Sequence, residues 1–332
     1  MTVQITIIGT GQIGTSLGLA LGEHKELFVR VGHDKDMKIA TQAKQLGAFE
    51  RVEYNLPNSV ANAQIVILAI PLDQIQETLK VIASELQEDA VIMDTAPVKR
   101  QVLAWIKELL PPRRYYIGLT PALNPSYLEH IGQGPEAAHA DLFKGGLVAL
   151  VSSPGVPEEA IKLATDLIHL LGAEHLFIDP VELDSMVAAT HILPELSAAA
   201  LLNITIDQPG WLDARKLAGQ PYAAATQAVT SALNADTLSS QAISASEHVV
   251  RLIDDLVDHL YVLRDQISSQ AGEKLKQELQ RAMSGREKWL NERRARRWTD
   301  NEAVPQVELP SAKQMLAHIF TFGGGRKPKP PK

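Results

Sequence analysis

The segment VQITIIGTGQIG (residues 3–14) constrains this chain more than any other. A β-rich run leads into glycines at positions 9, 11 and 14, and a helical pattern follows at once. Gly9 permits a tight turn, Gly11 lets the backbone approach a diphosphate, and Gly14 lets a helix pack closely on the strand. The N-terminus of that helix, with Gln12 and Ile13 in its first turn, would face the phosphates with unpaired N–H groups. Asp34 stands 20 residues beyond Gly14, at the end of a second strand-like run, FVRVGHD (28–34). An acid at that place hydrogen-bonds a ribose hydroxyl. Its charge favours NAD over NADP, and Lys35 beside it offsets part of the repulsion toward a 2′-phosphate, so NADP stays possible.

Further strand-like runs lie at 64–71, 90–96, 115–119 and 146–153, with helical patterns such as 72–86 and 98–110 between them. Alternation of this length predicts an α/β fold, a Rossmann-type doubly wound parallel sheet with helices on both faces. The loop after the run 64–71 would bring Ala69 and Pro71 to a ribose, and the alternative is a plain helix start after Pro71. A helix over 157–172, with Gly172 as its C′ residue, and a strand over 174–180 complete this part. Beyond Pro180 the pattern turns helical. Residues 181–206 read as one long apolar helix that Pro194 should kink or divide. Val249, Ile253, Leu256, Leu260, Leu263 and Ile267 form a heptad-like stripe, and a charged helix covers 273–297. The predicted domains are 1–179 for dinucleotide binding, 180–297 as an all-helical dimerisation and substrate domain, and 298–332 as an extended, partly disordered tail.

The net charge of −7 argues against nucleic-acid binding. The basic stretch 286–298 reads as a solvated helix face, and the Gly/Pro/Lys-rich tail as disordered. The absence of cysteine excludes disulfides and thiolate chemistry. No apolar run of about 18 residues stands out, and MTVQITIIG lacks the basic start of a signal peptide. A cytoplasmic protein with no membrane partner is expected. No metal is expected either: no histidine pair at helical i, i+4 spacing has an acid nearby, and His248 and His259 are 11 residues apart. No GxSxG anchor for a serine hydrolase is present.

Several stretches together resemble the prephenate/arogenate dehydrogenases of tyrosine biosynthesis. They are GTGQIG with GHD (32–34), VILAIP (66–71), DTAPVK (94–99), IGLTPALNP (117–125), DLFKGGLVALVSSP (141–154) and LGAEHLFIDPVELDSMVAATHILPELSAAAL (171–201). The last is the most specific, with Asp184 followed by Val187-Ala188-Ala189-Thr190-His191-Ile192-Leu193-Pro194. The resemblance covers roughly 3–205, and 206–290 in helical character only. It implies an NAD(P)-dependent oxidoreductase that takes hydride from a cyclohexadienol, whose hydroxyl proton leaves and whose carboxylate departs as carbon dioxide. It also implies a small-molecule substrate and a homodimer formed through the helical domain.

In such enzymes a histidine usually receives the hydroxyl hydrogen bond and a serine supports it. Here those positions are Thr120 and Pro97, and the glycine ending the loop is Asn124. Thr120 has no pKa near neutrality and cannot be a general base, though it can orient a hydroxyl or a water. Pro97 offers neither a hydroxyl nor an N–H. His191, which keeps its family position, is the strongest replacement, and His130 and His139 are others on a nearby loop. The resemblance assigns Thr95 to cofactor binding. It makes Lys99, Arg215 and Lys216 the substrate-binding candidates, with a structural or anion-binding role at the following helix preferred for Lys99. Two other readings stay open: a non-catalytic dinucleotide-binding paralogue, and a dehydrogenase of a different hydroxy acid.

Overall fold

The computed structural model describes residues 2–129, 132–231 and 234–296. The predicted tail from 298 lies outside the described residues. Two compact units divide between Asp179 and Pro180.

The first unit is an eight-stranded sheet in the order β3-β2-β1-β4-β5-β6-β7-β8. Its strands are β1 (Val3–Ile8), β2 (Phe28–His33), β3 (Arg51–Val52), β4 (Ile65–Leu68), β5 (Val91–Asp94), β6 (Tyr115–Ala122), β7 (Leu147–Ser152) and β8 (Glu174–Phe177). The helices are α1 (Gln12–Leu21), α2 (Met37–Gln45), α3 (Leu56–Val60), α4 (Leu72–Ile82), α5 (Arg100–Leu109) and α6 (Glu158–Leu170). Strands β1 to β6 are mutually parallel, and the chain order reverses between β1 and β4, the place where such sheets hold nucleotides. The central strands are apolar on both faces, as burial by helices on both sides requires: Ile65 to Leu68 are all buried.

The sheet departs from the expected all-parallel pattern. β7 runs antiparallel to β6, with Thr120 opposite Ala149, and β8 is parallel to β7. A parallel return needs a helical crossover. Between β6 and β7 the described residues form only two 3-10 turns, Pro125–Tyr127 and Pro135–Ala137. The α6 crossover does join β7 to β8. β3 was not foreseen, because two residues, one of them charged, carry no periodic signal.

Register fixes the chemistry of β6. β5 ends at the pair Asp94–Gly118, whereas β6 continues to Ala122 against β7. Tyr116, Gly118 and Thr120 share one face of β6. A Cβ on Gly118 would come within 2.7 Å of the Tyr116 hydroxyl and 2.8 Å of the Lys99 Cδ. Glycine there makes room for two long side chains.

The second unit is helical: α7 (Pro180–Val187), α8 (Leu193–Ile206), α9 (Trp211–Leu217), α10 (Gln220–Thr226), α11 (Ala228–Ser231), α12 (Ala235–Ser244), α13 (Ser246–Ser268) and α14 (Gly272–Arg294). The chain stays helical through Pro194, with an irregular turn directly ahead of it. A π-helical turn, Ala188–Ile192, joins α7 to α8, and Pro194 falls in the first turn of α8. The widened turn takes up the missing N–H and the ring that would otherwise strike the preceding turn. The resulting Pro180–Ile206 helix, 27 residues long, has the length and hydropathy to cross a membrane, which the sequence reading did not foresee. It carries Glu182, the buried Asp184, His191 and Glu195 along its length. The α13 stripe is buried at Val249 and uncovered at its far end, where Leu260 is 54% and Ile267 62% exposed.

Candidate functional site

At the carboxyl end of β1 the chain turns at Gly9, with φ +92°. A Cβ on Gly9 would collide with the Ala69 carbonyl, and one on Gly14 with the Gly9 carbonyl. Both glycines are therefore dictated by packing within the protein. Gly11 differs: its φ is −68°, and a Cβ there would meet nothing within 4 Å. Gly11 is the N-cap of α1 and supplies no side-chain cap, and the first turn has no acid. An uncapped helix N-terminus opening onto free space fits an anionic diphosphate. Gln12 and Ile13 lie in this first turn, half-buried at the cradle.

Asp34 forms the second element. Its Oδ2 accepts from the Thr10 amide at 2.7 Å and the Thr10 hydroxyl at 3.1 Å, and its Oδ1 accepts from the Asp36 amide at 3.0 Å. The carboxylate is thereby fixed to the glycine turn. Lys35 turns toward Gln74 Oε1, 3.2 Å away. Beside Asp34, His33 is buried and donates through Nδ1 to the Glu53 carbonyl at 2.8 Å, which makes it a packing residue. The Ala69 amide donates to Ile8 at 2.7 Å, so the turn after β4 lies against the glycine turn, and Pro71 is the N-cap of α4. Thr95 donates its amide to Leu68 at 3.0 Å and is half-buried just past β5.

A buried polar cluster lies under the next turn. Asp94 and Lys99 are each 0% exposed and 2.7 Å apart. Asp94 also accepts from the Ala96 amide at 2.8 Å and from the Tyr116 hydroxyl. The Lys99 ammonium donates to the Ala96 carbonyl at 2.6 Å and to the Leu119 carbonyl at 2.9 Å. Leu119 lies just past the point where β5 stops pairing with β6, so the ammonium stands in for the strand that has ended. Lys99, expected among the substrate-binding groups, is instead an enclosed strut whose cation faces inward, in keeping with the structural role preferred for it.

Thr120 donates its hydroxyl to the same Ala96 carbonyl at 3.1 Å, with the Pro97 carbonyl at 3.3 Å. The fold thus brings Thr120 and Pro97 together at one turn. With its single proton directed into the turn, the Thr120 oxygen is left as an acceptor. Asn124 is buried and accepts from the Ser126 amide at 3.1 Å, a loop-shaping role. His139 is exposed and stacked on Tyr127 at 4.5 Å. His130 lies outside the described residues.

The remaining candidates belong to the second unit. His191 is in the π-helical turn. Thr190 gives its hydroxyl proton to the Met186 carbonyl at 2.8 Å, and His191 Nδ1 lies 2.9 Å from the same oxygen. With the hydroxyl proton on Met186, the ring donates from Nδ1 and Nε2 is the basic nitrogen; with the proton turned to Nδ1, the roles reverse. Desolvation holds its pKa below the ordinary histidine value, although part of its surface meets solvent. Arg215 is exposed on α9, and Lys216 pairs with Asp213 one helical turn away at 2.7 Å. Thr10, Asp94, Tyr116 and Thr190 escaped the sequence reading. The acid of DTAPVK, five residues before a lysine in an apolar setting, was the available signal for the buried pair.

The class is set by the fold and the cradle together: a Rossmann-type dinucleotide-binding unit joined to a helical unit. Residues 17–176 match the family model of the prephenate dehydrogenase nucleotide-binding domain. The cyclohexadienyl dehydrogenase of Zymomonas mobilis is 27% identical over 206 residues, which are 61% of this chain and 68% of that protein. The prephenate dehydrogenase of Bacillus subtilis is 25% identical over 202 residues, 60% of this chain and 53% of that protein. The chain thus spans about half the length of the Bacillus relative. The crystal structure of Aquifex aeolicus prephenate dehydrogenase in complex with hydroxyphenyl propionate and NAD+ superposes with a TM-score of 0.76 at 21% identity, covering 87% of this chain and 98% of that one. Synechocystis arogenate dehydrogenase gives 0.67 at 22% identity, covering 86% and 100%. These structures share the fold. The first unit of this chain is thus similar to the nucleotide-binding domain of the prephenate dehydrogenase family.

The enclosed ion pair makes a sharp prediction. Lys99→Met strands a buried carboxylate and should lower stability by about 3–5 kcal/mol in urea unfolding. Lys99→Met with Asp94→Leu should recover most of that loss. Equal stability of the parent and Lys99→Met would refute the strut.

Proposed function

We propose that this chain is an NAD(P)-dependent dehydrogenase that oxidises a prephenate- or arogenate-type cyclohexadienol with loss of carbon dioxide, a cytoplasmic step of tyrosine biosynthesis. The observation that carries the proposal is the cradle at Gly11, open where a diphosphate needs space, in a unit similar to the nucleotide-binding domain of this family. Gly9, Gly11, Gln12, Ile13, Gly14, Asp34, Ala69, Pro71 and Thr95 would line the dinucleotide, whose nicotinamide supplies the hydride acceptor when bound. Asp34, anionic and held by Thr10, supports NAD over NADP. Thr120 orients the substrate hydroxyl as a hydrogen-bond acceptor. His191 is the candidate base on its own chemistry, with a hydroxyl beside its Nδ1 and a lowered pKa. Arg215 is the more available cation for the substrate carboxylate, since Lys216 already has a partner.

Pro97 and Thr120 also favour a second reading, a dinucleotide-binding protein without catalysis. NADH formation from NAD and prephenate separates the two. Thr120→His with Pro97→Ser should raise the rate at least about tenfold, within the range a general base contributes. His191→Asn should abolish the parent's rate. In the parent, the acid limb of kcat/KM should fall below the ordinary histidine value of about 6.5, because a depressed pKa keeps the base neutral to lower pH. NAD binding with no turnover in parent or double variant would establish the non-catalytic reading.

The helical unit supports a homodimer. Ile204, Ile243, Leu260 and Ile267 are each more than half exposed. Burying such side chains contributes about 1.5–3 kcal/mol each, and a two-fold pairing covers them on both copies. Sedimentation should give twice the chain mass at micromolar concentration. A monomer mass across the concentration range would contradict this.

A further inference from the structure

The connection between β6 and β7 leaves the sheet beside Thr120 and is shut at its base. The Asn124 amide donates to the Leu142 carbonyl at 2.8 Å, and Asn124 Nδ2 donates to the Asp141 carbonyl at 3.1 Å. These two bonds hold the ends of the connection together. Its returning limb, residues 134–141, lies across α1 and α2 and is tied to them at three points. Gln12 Nε2 donates to the Ala137 carbonyl at 3.0 Å. The His139 amide donates to Ser16 Oγ at 3.0 Å. Gln42 Nε2 donates to Glu136 Oε1 at 2.6 Å. The limb is further braced by the stacking of His139 on Tyr127 and by the Tyr127 hydroxyl on Asp141 Oδ1 at 2.6 Å.

The positions of these ties matter. Gln12 follows Gly11 directly and opens α1, so the Ala137 carbonyl is one side chain away from the helix N-terminus that faces the cradle. Ser16 lies one turn further along the same helix. Gln42 is on α2, which begins three residues after Asp34. The limb therefore spans from the diphosphate end of the cradle to the helix that follows the ribose-binding acid. Plain packing of a surface loop would not require a hydrogen bond from the first helical residue of the glycine turn. The free space beside Gly11 lies at the same end.

We propose that residues 134–141 form an outer wall of the dinucleotide site, with Gln12 as the positioning residue that joins wall to cradle. The inference rests on the dinucleotide reading and deepens it: a bound diphosphate touches the strapped limb as well as the α1 N-terminus, so ligand and strap hold each other. Binding and strap closure are then coupled in both directions.

The test uses the full chain and NAD. Hydrogen exchange of the amides at 137–139 should slow when NAD saturates the protein. Gln42→Ala removes the tie furthest from the glycine turn and should weaken NAD about 3- to 10-fold, the worth of one lost hydrogen bond. Its thermal midpoint without ligand should stay within a few degrees of the parent, which separates a wall from a purely structural loop. Strap exchange unchanged by NAD, or Gln42→Ala binding as the parent does, would overturn the wall while leaving the cradle intact. Absence of NAD binding by the parent would overturn the wall and the dinucleotide reading together.

Discussion

Where Gly14 would carry a Cβ, the carbonyl of Gly9 already stands. That close approach lets the first turn of α1 sit against the end of β1, and the rest of the first unit is arranged around it. The Gly9 turn in turn presses on the Ala69 carbonyl and the Ile70 side chain, so the carboxyl ends of β1 and β4 approach closely. Asp34 is then tied back to the turn through Thr10. Three strand ends thus converge on one cradle, and the helix N-terminus, uncapped by a side chain, is left facing it.

Under the neighbouring strand ends a different device operates. Burying Lys99 with Asp94 is expensive unless each remaining hydrogen-bonding site is filled. Here the ammonium reaches two carbonyls, and the carboxylate takes an amide and a phenol. A buried pair of this kind fixes geometry more than it adds stability. What it fixes is the Ala96 carbonyl, which also receives the Thr120 hydroxyl. The Thr120 hydroxyl is therefore anchored to a carbonyl that the buried pair holds in place.

Much of this was legible in the residues. The glycine spacing and Asp34 specify a turn with little freedom, and the alternation of helices with β1, β2, β4, β5 and β6 carries a strong periodic signal. The antiparallel turn of β7 was not legible, because it depends on the lack of an α-helix among the described residues between 123 and 146, where loop punctuation hides direction. An irregularity near Pro194 was legible in Pro180–Ile206, but its π-helical form leaves no mark in composition. The structural role of Lys99 was legible only beside an anion-binding one, because a motif position does not reveal whether a cation points in or out. The ties of the strap join residues up to 125 positions apart, beyond the reach of local pattern.

Gly11 offers the most direct test of the central claim. It has an ordinary φ and room for a side chain, so nothing in the protein itself demands glycine there. Only a ligand closing on the backbone would. Equilibrium titration with NAD should therefore show saturation for the parent below millimolar concentration and at least a tenfold loss for Gly11→Val, roughly 1.4 kcal/mol or more, with the variant folding as the parent does. Equal affinity of the two proteins for NAD would contradict the account.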